Sequence, residues 1–351
     1  MPQPPDRVVA FGPGRANVIG EHTDYNDGLS LPFAIAYGVT VTALSGRDHS
    51  VLARALDHGE SERFSLDSGG EPRRAGDWRD FVGGTIAELE AAGFELRPAE
   101  LTIESTLPEG AGLSSSAALE AALALALVAV AGLPPPADRM ALARLCSRVE
   151  NRWVGARTGL LDQVASLFGD PDRALRIDFR TLDVRSVPVA LGDWRLAAVP
   201  SGETRSLAGS GYNERRSECE RARDLLGLES LRDAHASSLA GLPHPLGDRV
   251  RHVLGENARV DATVHALERS DLAEVGRLLD ASHRSLRDLY DSSTPAVEAT
   301  VERLREAGAA GARMIGGGFG GSVMALFPPG ASPLPDGIEL APSAGARLLA
   351  P

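Results

Sequence analysis

The 351-residue chain contains no lysine, and all 36 of its basic residues are arginines. That absence excludes the phosphate loop that ends in Gly-Lys-Ser/Thr and the strand lysine of protein kinases. It also excludes pyridoxal-phosphate enzymes, which hold their cofactor as a lysine Schiff base. Nucleotide chemistry on this chain would have to use backbone amides, helix dipoles, a metal ion and arginine. Cysteine is almost missing as well. Cys146 and Cys219 sit in helical-looking segments with no spaced framework, which fits a reducing compartment. Basic charge is in deficit: the net charge of −12 is the reverse of the basic face a nucleic-acid binder presents. The opening MPQPPDRVV lacks the basic and apolar regions of a secretory signal. The longest apolar run, residues 121–131, is too short and alanine-rich to cross a bilayer. The histidines show no HxxxH or HExxH spacing, so a zinc site has no support. These absences predict a cytoplasmic protein that binds neither nucleic acid nor membrane, and the length is enough for two domains, each with its own core.

What is present concentrates in a few short stretches. Residues 12–28 place Arg15, Glu21, His22 and Asp24 within ten positions, bracketed by Gly14, Gly20 and Gly28. Glycines permit sharp reversals, so these side chains can converge on one volume. Two carboxylates, an imidazole and a guanidinium suit a polyhydroxylated ligand better than an apolar one. The four residues taken alone also fit a polar loop capping a helix. The run GRANVIGEHTDYNDG resembles the galactokinase signature at the start of the GHMP small-molecule kinases.

A second stretch, residues 107–118 (LPEGAGLSSSAA), follows the alternating strand pattern of Glu100 to Ser105 and precedes an alanine- and leucine-rich helix over about 117–130. Strand, glycine turn and helix bring free backbone N–H groups and the positive end of a helix dipole to one point, a ready anion site. A serine-capped helix with no ligand has the same local pattern. The run resembles the GHMP phosphate-binding motif. That resemblance assigns Gly110, Gly112, Leu113, Ser114, Ser115 and Ser116 to ATP and brings Ser116 toward magnesium.

The third stretch begins as an amphipathic helix predicted over Arg139 to Trp153, with Glu150 near its end, where the dipole disfavours a carboxylate and a cation would be a natural partner. Thr158 and Gly159 then interrupt the chain. A helix resumes over Leu160 to Phe168 with Asp162 in its first turn, which is also where ordinary surface aspartates sit. GLLDQ resembles the galactokinase element Gly-x-Met-Asp-Gln. The match implies Asp162 as catalytic base, Glu150 as magnesium ligand and Gly159 as a backbone contact to sugar.

Residues 316–321 (GGGFGG) satisfy the dinucleotide pattern GxGxxG, yet they join two strand-like runs instead of opening a helix. They read as a tight loop between strands, and ARMIGGGFGGSVMAL resembles the third GHMP motif, packed beside the phosphate loop. Further strands are predicted at 7–11, 38–44, 51–55, 174–177 and 195–199. Helices are predicted at 80–92, 212–226, 246–268, 271–290 and 297–307. Alternation followed by a helical run predicts an α+β protein of two domains, 1–190 and 191–351, with the site in the cleft between them. TRSLAGSGYNERR resembles the family segment carrying a sugar-contacting tyrosine, here Tyr212, and RHVLGENARV is likewise similar.

The resemblance implies a galactokinase: ATP and magnesium at the serine loop, sugar held by Glu21, His22, Asp24, Gly159 and Tyr212, Asp162 as base and Arg15 offsetting charge. A kinase for the C1 hydroxyl of N-acetylgalactosamine or L-arabinose, or a non-catalytic sugar sensor, would share the fold. The intact serine loop and Asp162 favour the enzyme. Two departures stand out: few residues precede Gly12, and a proline-rich loop replaces the usual helix between the third motif and Pro342. The latter predicts tighter repacking or a homodimer contact at that patch, in a protein that is a monomer or homodimer.

Overall fold

The computed structural model describes residues 5–66, 72–108, 110–203, 210–331 and 336–350. Glu109 of the serine-loop motif, residues 204–209 of the TRSLAG segment and residues 332–335 of the proline-rich loop lie outside them.

Strand β1 (Arg7–Asn17) starts half-exposed and is buried from Gly12 onward. It is flanked by β3 (Pro32–Ser45) and β13 (Arg347–Leu349), both antiparallel to it. Beyond β3 follow β6 (Ala99–Ser105), β4 (Ser50–Ala55) and β5 (Glu60–Ser65), giving the order β13-β1-β3-β6-β4-β5 with only β4 and β6 parallel. Helices α2 (Ser115–Val130) and α4 (Leu161–Phe168) pack on β1 and β3, and α1 (Trp78–Ala91) and α3 (Arg139–Arg148) pack beside α2. Every residue of α2 after Ser115 is buried, as expected of a helix with no polar face. Its alanines let the sheet come close: a Cβ on Gly12 would lie 2.0 Å from the Ala118 carbonyl oxygen.

A short second sheet, β2 (Leu29–Ser30), β7 (Arg173–Asp178) and β8 (Asp183–Pro188), extends from the loop after β1. The third sheet has the antiparallel order β10 (Gly311–Met314), β11 (Ser322–Phe327), β9 (Arg195–Pro200), β12 (Ile338–Leu340). The long helices of this half are α5 (Ser210–Leu226), α6 (Leu246–Glu268), α7 (Leu272–Asp288) and α8 (Pro295–Glu306). One apolar cluster joins the halves, packing Val18, Ile19, Leu31 and Phe33 against Val260, Leu279 and Met324. The loop carrying Glu21 to Asp24 is therefore anchored on both sides. The architecture is α+β, as the alternation predicts.

Two differences from the sequence expectation have local causes. The helix expected to run to Trp153 ends at Arg148 and widens into a π-helical turn, Val149–Val154, closed by Gly155 in the left-handed region (φ 86°). The N–H of Gly155 reaches back to the Glu150 carbonyl, a five-residue closure that apolar spacing does not reveal. Strands β5 and β8 carry mostly exposed residues, so they lack the alternation that marked the others. The glycine run 316–321 does connect two antiparallel strands, β10 and β11. Among the described residues between Phe327 and Ile338 there is loop and no helix, and β12 lies along the free edge of β9.

Gly12→Ala forces the α2 backbone away from β1, so it is expected to cost about 1–3 kcal/mol of stability. Chemical denaturation of the purified variant measures it.

Candidate active site

The first functional side chain is aimed by a break in strand register. Pairing between β1 and β3 shifts between Pro13 and Arg15, at Gly14, and a bulge of this kind redirects the next side chain. Arg15 turns toward α4: its Nε donates to Asp162 Oδ1 at 2.8 Å and its Nη1 to the Gly112 carbonyl at 2.8 Å. The backbone N–H of Arg15 also donates to the Leu113 carbonyl at 3.0 Å. Strand, glycine loop and helix are thus tied together by one residue.

Ser114 occupies the N-cap of α2 in the left-handed region (φ 60°, ψ 52°), a conformation disfavoured for a side chain with Cβ. Its hydroxyl makes no capping bond to the helix. It donates to Asp162 Oδ2 instead, so both carboxylate oxygens are held from opposite sides. The first-turn amides of α2 are left pointing into a cavity of about 140 Å³, lined by Pro108, Gly110, Gly112, Leu113, Ser115 and Asp162. That cavity shares Leu107, Gly110, Ser115 and Ser116 with a larger slot of about 760 Å³ walled by Trp78 and Phe81.

Behind the serines sits a cluster of buried acids. Glu150 is fully buried in the π-helical turn and accepts from Ser116 Oγ at 2.9 Å, Thr158 Oγ1 at 2.6 Å and Gln163 Nε2 at 2.9 Å. All three donors are neutral. Burial, and then the charge of Asp162, raises the Glu150 carboxyl above the usual range. A buried carboxylate beside a hydroxyl, with no charged hydrogen-bond donor, is an oxygen donor set that fits a magnesium ion shared with phosphates. Gln163 Nε2 also donates to Glu120 at 3.2 Å, and burial raises Glu120 well above its ordinary value.

On the other side of Asp162 a second, narrower pocket is lined by Arg15, Glu21, His22, Asp24, Gly159 and Tyr212. Glu21 accepts from the Gly316 N–H at 2.7 Å and pairs with the buried Arg313 at 3.0 Å. Arg313 is itself fixed by the carbonyls of Asn17 and Val18, both at 2.8 Å. Asp24 rests against Gly159, where a Cβ would sit 2.1 Å from Asp24 Oδ2. Desolvation in the pocket, followed by the charge of Asp162, pushes the Asp24 carboxyl up to about 6. Tyr212, in the first turn of α5, has its ring centroid 5.2 Å from that of His22.

Comparison with known proteins follows the same map. The model of the galactokinase galactose-binding signature matches residues 2–44, and those of the GHMP kinase N-terminal and C-terminal domains match 80–170 and 263–333. Thermotoga petrophila galactokinase is 40% identical over 320 residues, covering 91% of this chain and 89% of that one. The chain belongs to the galactokinase family of GHMP kinases. A Roseiflexus galactokinase is 40% identical over 329 residues, covering 91% of this chain and 83% of its own. The structure of Lactococcus lactis galactokinase complexed with galactose superposes with a TM-score of 0.89 at 32% identity, covering 98% of this chain and 95% of that one. A mevalonate kinase structure at 19% identity and a TM-score of 0.69 shares the fold.

Within this galactokinase-family site the structure brings every residue singled out from sequence to one of two adjoining pockets or to the acid cluster behind them. Sequence reasoning missed the residues that hold them. Thr158, Gln163 and Glu120 surround Glu150, and Arg313 clamps Glu21. Glu256 accepts the Gly20 N–H at 3.0 Å, and Asn257 accepts the Leu29 N–H at 2.8 Å. The last two lie in RHVLGENARV, a segment whose similarity was visible without a role attached. The glycine run 316–321, a tight loop between strands by its sequence, also contributes Gly316 and Gly317 to the lining of the second pocket.

Because Asp24 titrates higher in the folded chain than its ordinary 3.8, the folded state holds the extra proton between about pH 4 and pH 6. Folding stability from this group therefore falls as pH rises through that window. Asp24→Asn is expected to stabilise the protein above pH 6 with little effect below pH 4, while weakening sugar affinity at least about tenfold. Melting curves across pH, with calorimetric titration of galactose, measure both.

Proposed function

We propose that this chain transfers the γ-phosphoryl group of ATP to the C1 hydroxyl of D-galactose, giving galactose 1-phosphate and ADP. The observation that carries the reading is the position of Asp162, which lines both the serine-loop cavity and the pocket of Glu21, His22 and Asp24. A carboxylate at that junction stands between a phosphate donor and a sugar acceptor. Three family-model matches, two of them outside the sugar signature, support the same activity.

The triphosphate lies along the amides of Gly110 to Ser116, with the base in the slot beside Trp78 and Phe81. Galactose is held by Glu21, His22, Asp24, the backbone of Gly159 and Tyr212. Asp162 takes the C1 proton as that oxygen attacks the γ-phosphorus in line. Each of its oxygens already accepts one bond, from Arg15 or Ser114, and keeps lone pairs for the incoming proton. Arg15 offsets the negative charge on the transferring group, the electrostatic part of a reaction that depends chiefly on positioning. Ser116 and Glu150 would hold magnesium, which supplies charge neutralisation at the phosphates when bound. The site lies between two domains divided near residue 190, with β13 returning to the first. The enzyme works as a monomer or homodimer. No helix among the described residues is long and apolar enough to cross a membrane. We place the enzyme in the cytoplasm, a location supported by the buried free thiols Cys146 and Cys219.

Sugar-dependent ADP release across D-galactose, N-acetylgalactosamine, L-arabinose and D-glucose tests the substrate. Galactose is expected to dominate, and preference for another sugar would overturn the assignment. Asp162→Asn is expected to lower kcat by about a thousandfold while leaving calorimetric galactose affinity within a few-fold. Loss of binding with turnover intact would recast Asp162 as a ligand. Glu150→Gln is expected to raise the magnesium concentration for half-maximal rate by about 10- to 100-fold, measured by titrating the ion at saturating ATP and sugar.

A further inference from the structure

Behind the second pocket a line of side chains with no role in the transfer, Tyr25, Tyr290 and Cys219, runs up to His22. His22 holds a left-handed backbone (φ 60°) and is buried, with both ring nitrogens facing protein atoms. Its Nε2 lies 3.0 Å from the Gly317 carbonyl, which can only accept, so Nε2 carries a proton. In the neutral ring Nδ1 is then an acceptor, and the Tyr25 hydroxyl at 2.8 Å must donate to it. The Tyr25 oxygen in turn accepts from the Tyr290 hydroxyl at 2.8 Å, and the Tyr290 oxygen accepts from the Cys219 thiol at 3.0 Å. One carbonyl thus sets the direction of the whole series. Burial raises the hydroxyls of Tyr25 and Tyr290 and pushes the Cys219 thiol up to about 11, so the series keeps its protons at neutral pH.

The rings stack as well as bond. Tyr290 packs 4.5 Å from His22 by ring centroids, and Tyr212 meets both His22, at 5.2 Å, and Tyr25, at 5.8 Å edge-on. We infer that Cys219, Tyr290 and Tyr25 are positioning residues: they hold the Nδ1 side of the His22 ring while Nε2–H is clamped to Gly317, and so fix the spacing of the two loops that wall the sugar pocket. A ring turned or reprotonated at Nδ1 loses either the Tyr25 donor or the Gly317 acceptor. The signature loop, the third glycine loop and Tyr212 then lose a common reference. With both ring nitrogens bonded to protein, the pocket residue His22 also braces the wall it belongs to.

The effect on sugar rests on the galactose reading, whereas the tautomer does not. The test is ¹⁵N-histidine NMR of the full chain at pH 7.5, with the His22 signals assigned from a His22→Asn spectrum, alongside galactose kinetics. In the wild type His22 is expected as the neutral Nε2–H form. Tyr25→Phe is expected to keep the Nε2–H form that Gly317 requires, to move the His22 Nδ1 resonance downfield as that nitrogen loses its donor, and to raise the galactose KM about tenfold with kcat within about twofold, the loss of one buried hydrogen bond. Tyr290→Phe and Cys219→Ala are expected to follow in the same direction and more weakly, and Cys219→Ser, which keeps a donor, to restore the wild-type values. An Nδ1–H or doubly protonated His22 in the wild type would overturn the inference. So would a Tyr25→Phe protein with an unchanged Nδ1 resonance or unchanged KM. If Tyr25→Phe fails to fold, the Cys219 pair decides: equal KM values for its alanine and serine forms overturn the inference. Absence of galactose turnover in the wild type would remove the substrate reading alone and leave the comparison of Nδ1 resonances to decide the relay.

Discussion

The ion pair between Arg15 and Asp162 joins strand β1 to helix α4, and the same guanidinium reaches the glycine loop through the Gly112 carbonyl. Three segments far apart in sequence meet on this one planar group. A lysine ammonium is a point charge without the fork needed to bond a carboxylate and a carbonyl in fixed directions. The arginine is buried, so its pairing is little screened by solvent. Around it the serine-loop cavity opens on one side and the narrower pocket on the other, and both inherit their geometry from the bulge at Gly14.

The site also gathers negative charge at a cost that neutral donors moderate. Asp24, Glu120 and Glu150 are all raised, with burial the leading cause in each case. Glu21 differs in being paired with a buried guanidinium, Arg313, whose other bonds go to main-chain carbonyls. Glu256, beneath the signature loop, is the opposite extreme. Arg259 and neighbouring charges outweigh its burial and hold it down to about 2. Glu256 under the loop is thus fixed as a charge, as Glu21 and Asp162 are by their arginines, while burial leads at Asp24, Glu120 and Glu150.

Much of this was legible from local sequence, because glycine runs, a serine cap and a dense polar loop are local devices. Gly12 to Gly28, Gly110 to Ser116 and Gly316 to Gly321 could each be read for backbone shape without knowing their neighbours. The partners were less readable. Gln163 meets Glu120 across 43 positions, and Arg313 meets Asn17 across 296. Hydrophobic periodicity carries no record of which polar groups will face each other. The π-helical turn was invisible for a related reason: one extra residue in a turn leaves the apolar spacing of its flanks almost unchanged. Strands β5, β8 and β13 are exposed and short on alternation, so no pattern distinguished them from loop.

Strand β13 has a bearing on how the molecule comes to exist. Leu349 pairs with Val9, and Leu348 with Ala10, on the outer edge of the sheet that carries Arg15. During synthesis that edge of β1 emerges early and waits, unpaired, while every other described element is made. An open strand edge is a template for wrong partners, other nascent chains included. The half of the protein that is translated first is therefore the half that is finished last. From the making of β1 until β13 is made, Val9 to Phe11 therefore stand on an open edge that a neighbouring nascent chain can occupy first.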